Sequence, residues 1–357
     1  MTHFTDMKHT FLTLMLAAAA LLGVTACHEG PINPDPETDV TFTFGAYFLN
    51  AGATGQSEIT QLNTLYGVVT PHCFSLANDG KTFGNGGRDI HIVGNKMYAT
   101  LASSKRVNVI DKNNCKDLGS FTISADDGSL LTPSHLADFD GMLIVSLAEG
   151  YVASIDTVSY SVRQLQKVDG AAGCMAVANQ KLYVANPDGE TIQMLNPVDL
   201  HIMKTLEVGE NPRSFTVGSD KKLYLVAGTT TTSLLQIDSD TEEVTTVTVP
   251  GKPIIAAAGP DNSLIVYVSD SADELGGRFY LLSLEQLKVE AEFIRDGSYV
   301  KDPTGLFIDL NTGNVYISQD GNGDFAIIYI YASYGQFITS FDTGTARTVG
   351  AAFVTSK

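Results

Sequence analysis

Along most of the chain, apolar and polar residues alternate over short runs and then give way to Gly, Pro, Asn or Asp. A period of two marks half-buried strands, and the clusters between them mark hairpin turns. Residues 181–212, KLYVANPDGETIQMLNPVDLHIMKTLEVGENP, display the pattern: KLYVA, TIQML and MKTLEV are three strands, parted by the turns NPDG and NPVD. Such a meander has one buried face and two open edges. It must be one unit of a larger array.

The array can be counted on its second strand, which recurs around Tyr98, Ile144, Tyr183, Tyr224, Ile265 and Tyr316. The spacing is near forty residues, the period of a four-stranded β-propeller blade. A β-sandwich would not need its units to resemble one another. Six units are expected, over residues 88–123, 133–168, 171–208, 211–249, 253–294 and 303–341. Residues 40–74 supply three strands, FTFGAYFLNAG, SEITQLN and YGVVTPHCF, one short of a blade. The C-terminal RTVGAAFV resembles the segments that precede the second strand elsewhere and is expected to complete that first blade. The predicted fold is therefore all-β, a seven-bladed propeller over residues 40–357, closed by the C-terminal strand pairing with the N-terminal blade. Asp111, Asp156, Asn196 and Asp238 follow the third strands, where a short polar side chain bonds the turn backbone.

The start of the chain obeys a different pattern. Lys8 and His9 precede an uninterrupted apolar run that ends in VTAC. The run is short for a membrane span and fits a signal-peptide core. VTAC resembles the bacterial lipobox, which implies a lipoprotein signal peptide over residues 1–26 and lipidation of Cys27. Residues 27–39, rich in Pro and acid, then form a flexible tether. The formal net charge of −18 argues against nucleic acid and anionic membrane surfaces as partners, leaving the lipid anchor as the expected contact with membrane.

The repeated KLYVA or KLYLV, followed by hairpins such as QIDSDT, is similar to the YVTN-repeat or YncE-like propellers. With the lipobox, the chain resembles YncE-like lipoproteins of Bacteroidota. The resemblance implies an outer-membrane lipoprotein on the cell surface or the periplasmic side. In one branch of the group it implies capture of a corrinoid such as cobalamin for a TonB-dependent outer-membrane transporter. The alternative is an interaction scaffold of the cell envelope with no small-molecule ligand.

Candidate chemistry is sparse. Cys73 and Cys115 fall on neighbouring blades, where a bridge or two free thiols are both open, and Cys174 is expected to be a buried apolar side chain. The histidines are dispersed, HExxH, GxSxG and Walker sequences are absent, and there is no Trp from which a tryptophan-derived cofactor could form. Binding without catalysis or cofactor is the expectation. Asp320, Asn322 and Asp324 alternate with glycines as a calcium loop would, but Phe325 and Tyr331 break the EF-hand pattern, so a plain hairpin loop is favoured. The rim loops offer more. Arg88, Arg213 and Arg347 take the same place in three blades, at the start of the inner strand. Together with Asn50, Tyr151, Asn186, Tyr299 and Gln319 they form the predicted funnel, its guanidinium groups suited to a carboxylate or phosphate. Pairing of each Arg with a nearby acid is the competing reading. The long loops 75–87 and 269–277 are assigned to the same rim.

Overall fold

A computed structural model describes residues 41–52, 55–321 and 325–356. The signal peptide, Cys27 and the tether lie outside the described residues. The described chain forms 28 strands and one helix, α1 (Cys73–Ala77). The strands make seven four-stranded antiparallel sheets. Six sheets are runs of four consecutive strands; the other joins the C-terminal strand Arg347–Thr355 to the first three strands of the chain. This last sheet is called blade 1, and the rest are blades 2 to 7 in chain order.

Blade 1 closes the ring. Its inner strand Arg347–Thr355 pairs with Thr43–Ala51 from Ala51↔Arg347 to Thr43↔Thr355. Asn50 secures the seam: its amide donates to the Phe48 carbonyl at 3.1 Å and the Thr60 hydroxyl at 2.9 Å, and its carbonyl accepts from the Thr348 hydroxyl at 2.8 Å. A closed ring leaves no edge between first and last blades. The inner strands of successive blades touch all the way round, ending with Pro303–Ile308 against Arg347–Thr355.

The core lies between the blades. Alternation sends one face of each sheet against the next, so Tyr98, Tyr183, Tyr224 and Tyr316 are all at most 2% exposed. Polar bonds then fix one blade against its neighbour. The Asp89 carboxylate accepts from the Leu136 amide at 2.8 Å, the Thr100 hydroxyl donates to the Ser134 carbonyl at 2.7 Å, and the Thr216 hydroxyl accepts from the Ala258 amide at 2.8 Å. The hairpin residues behave as their chemistry requires: Asp111, Asp156, Asn196 and Asp238 each accept a backbone N–H two residues on.

One segment departs from the strand pattern. The outer strand of blade 1 stops after Val68–Thr70, and Cys73 and Phe74, read from sequence as its continuation, lie in α1. His72 takes a left-handed conformation at φ 56°, which breaks the strand. Phe74 then packs edge-on to Phe83 at 4.8 Å, and Cys73 is disulfide-bonded to Cys115 of blade 2.

Candidate funnel at the propeller axis

Each inner strand starts at the same end of the ring, so its first residues converge there. They enclose a cavity of about 740 Å³ to which all seven inner strands contribute. A second cavity of about 380 Å³ adjoins it, sharing Arg88, His135, Cys174 and Ser214 and adding Arg213, Pro187 and Asp188. Together they form a funnel of the size that encloses a small molecule.

The three predicted arginines meet here, in three different electrostatic states. Arg88 lines both cavities, is exposed, and makes no ion pair among the described residues. Its neighbour Asp89 forms no ion pair with it: the two carboxylate oxygens accept instead from the backbone N–H groups of Ile90 and Leu136, each at 2.8 Å. Arg213 lines the adjoining cavity, and its Nε is buried without a hydrogen-bond partner. Arg347 lines the central cavity with its Nε 3.5 Å from Asp320, so for this residue the acid-pairing reading holds as well.

The other predicted funnel residues lie elsewhere. Asn50 is fully buried in the closure seam, because both ends of its amide are used there; it offers no surface to a ligand. Tyr151 packs against the core of blades 2 and 3 and is capped by the Lys167 ammonium, 4.2 Å from the ring centroid. Asn186 closes its own turn by accepting the Asp188 amide at 3.2 Å, leaving Pro187 and Asp188 to face the cavity. Gln319 accepts the Tyr329 hydroxyl at 3.0 Å. Tyr299 lines a 40 Å³ cleft with Arg278 and Glu292 on the flank of blade 6, beside the loop that carries Asp273 and Leu275. Asp320 accepts from the Thr304 hydroxyl at 2.8 Å, whereas Asn322 and Asp324 lie outside the described residues.

Two residues join the funnel that the sequence did not assign to its binding set. His135 sits beside Asp89 and Arg88, and burial pushes its imidazole below the ordinary range. Cys174, expected within the core, is half-buried in the wall of the cavity, where burial pushes its thiol up to about 12. Both are therefore neutral near pH 7, leaving Arg88 and Arg213 as cations with no ion pair among the described residues.

Residues 45–271 match the family described as "Domain of unknown function (DUF5074)", and the chain belongs to that family. No curated protein matches. Among solved structures, the chain is similar to a quinonprotein alcohol dehydrogenase-like protein from Bacteroides thetaiotaomicron, with TM-score 0.66 and 16% identity over 88% of this chain and 79% of that one. It is also similar to the dihydro-heme d1 dehydrogenase NirN in complex with DHE, with TM-score 0.58 and 8% identity over 83% of this chain and 65% of that one. A third likeness is to the hydrazine synthase of Kuenenia stuttgartiensis, with TM-score 0.58 and 15% identity over 76% of this chain and 90% of that one. At such identities the likeness is one of fold.

Proposed function

We propose that this DUF5074 propeller is a binding protein of the cell envelope, tethered through Cys27, whose axial funnel takes a small molecule bearing an anionic group. The observation that carries this reading is Arg88, exposed in the wall of a 740 Å³ cavity with its charge unpaired while the adjacent acid is used by backbone. Arg213, with its buried unpartnered Nε, supports it from the adjoining cavity. A charge held in a concave, partly dry site attracts a counter-ion more strongly than the same charge on an open surface. Binding without turnover is the activity proposed.

The resemblance to YncE-like lipoproteins supplies a specific version: capture of a corrinoid for a TonB-dependent outer-membrane transporter, the nucleotide phosphate of cobalamin being the anion. Calorimetric titration of the chain lacking residues 1–26 with cyanocobalamin and cobinamide tests that version, and absence of heat at micromolar protein removes it. The broader reading is tested with Arg88→Ala and the triple variant at Arg88, Arg213 and Arg347. Losing a charged hydrogen-bond partner costs about 1.5–3 kcal/mol, so affinity for an anionic ligand should fall roughly ten- to hundredfold per arginine. A triple variant that binds as well as the parent overturns the anion site. A second reading, docking of another envelope protein, rests on Leu65, Tyr66 and Val68, which are exposed beside the short outer strand of blade 1. Co-purification of such a partner from detergent-solubilised outer membrane, abolished by Leu65→Ser with Tyr66→Ser, would favour it.

A further inference from the structure

The funnel is two-sided. In the central cavity the charged side chains, Arg88, Asp89 and Arg347, come from the neighbouring blades 1 and 2, with His135 of blade 3 beside them, while Asp188 and Arg213 line the adjoining cavity. Among the described residues, the wall from blades 4 to 7 lines the central cavity with no charged side chain, Asp320 of blade 7 standing behind it on Thr304 and Arg347. Phe215, Ile255, Ala257 and Phe307 on that wall are only half-buried. Half-buried apolar side chains facing a solvent-filled cavity gain from being covered. A second anionic group reaching across the cavity would be desolvated there with no partner.

We propose that the funnel selects an amphiphilic monoanion, a molecule with one carboxylate or phosphate held on the side of Arg88 and an apolar body laid against the wall of blades 4 to 7. This rests on the reading of the funnel as an anion site and adds the class of molecule. Arg213 does not upset the sidedness, because it lines the adjoining cavity and not the central one. The uncharged wall also sharpens the opposite one: low-dielectric material across a narrow space keeps the Arg88 field from being screened.

The test is a calorimetric comparison of 4-phenylbutyrate and octanoate with their neutral amides, with propionate, and with the dicarboxylate glutarate. The expected result is that the two amphiphiles bind at least tenfold tighter than all the others. Arg88→Ala should weaken amphiphiles and propionate alike, whereas Ile255→Thr with Ala257→Ser should weaken only the amphiphiles. Each variant is first shown to keep the parent's unfolding midpoint; if the double variant does not, Phe307→Leu takes its place. Propionate or glutarate binding as tightly as the amphiphiles overturns the two-sided selection but leaves the anion funnel standing. Neutral amides binding as tightly as the acids overturns the role of the charged wall. No heat with any acid overturns both readings.

Discussion

Blades 1 and 4 have the same four-stranded topology and are held together in different ways. Blade 4 is made from residues 175–207, one strand after another. Its cross-strand contacts are local and its turns supply their own register, as where Asn196 accepts the Val198 amide. Blade 1 joins strands from opposite ends of the chain, and the bond from Thr348 to Asn50 spans 298 residues. Its outer strand has only three residues, and a helix and a disulfide are placed beside it. The repeat thus explains blade 4, while blade 1 needs specific devices because closing so long a loop costs conformational entropy.

That contrast predicts an order of sensitivities. The largest effect should come from deleting residues 344–357, which removes the inner strand of blade 1 and opens the ring. The truncated chain should lose its cooperative unfolding transition in circular dichroism, and a sharp transition near the parent's midpoint would contradict the importance of closure. Next is the disulfide, whose ends are 42 residues apart. Cys73→Ser with Cys115→Ser should cost about 3–4 kcal/mol in urea unfolding, and thiol reduction of the parent should reproduce it. Asn50→Ala leaves buried Thr60 and Thr348 hydroxyls short of a partner and should cost about 2–3 kcal/mol. Gln193→Ala in blade 4, which breaks a part-buried pair of bonds to Asp169, should cost about half as much.

The regular blades should answer more weakly still. The Tyr224 hydroxyl donates to Asp220 and accepts from Gln236, each at 2.8 Å, so Tyr224→Phe should cost about 1 kcal/mol. The Tyr183 hydroxyl is buried with no partner, so Tyr183→Phe should be neutral or slightly stabilising. The smallest effect is the pH response of the turns. The Thr241 backbone N–H, then Lys222 and the Asp240 backbone N–H, hold the Asp238 carboxyl below its usual range. A depressed folded-state pKa stabilises above the unfolded value and loses that contribution as pH falls through the folded one. Melting temperature should therefore drop on acidification below about pH 4, and Asp238→Asn should make the drop shallower. An unchanged acid limb would remove Asp238 from the account.

Blade number, blade limits and the closing strand were legible because alternation, turn chemistry and repeat length are local in sequence. That Arg88, Arg213 and Arg347 reach one region was legible because each is the first or second residue of its inner strand; their registers differ, Arg88 lying in a bulge while Arg213 and Arg347 stand opposite Val226 and Ala51. What could not be read is which way a side chain turns once it reaches the rim. Asn50 and Arg347 lie one residue out of register in the same strand pair, Asn50 opposite Thr348 and Arg347 opposite Ala51, yet Asn50 is sealed in the seam and Arg347 is exposed to the funnel. Cys174 carries no mark that separates a core thiol from one in the cavity wall; the distinction arises only when seven inner strands are set round one axis. Helix α1 was hidden for a simpler reason, since HCF extends an apolar strand pattern until His72 turns left-handed.

The register of the closing pair also fixes where the chain is held. Ala51 and Arg347 meet at the funnel end, so Thr43 and Thr355 lie together at the other end of the same two strands. The described chain therefore enters and leaves side by side on the face away from the mouth, where the Phe42 and Ser356 backbones bond at 2.9 Å. A peptide linking Ser356 to Phe42 would therefore make a permuted ring whose new termini could be cut at any hairpin.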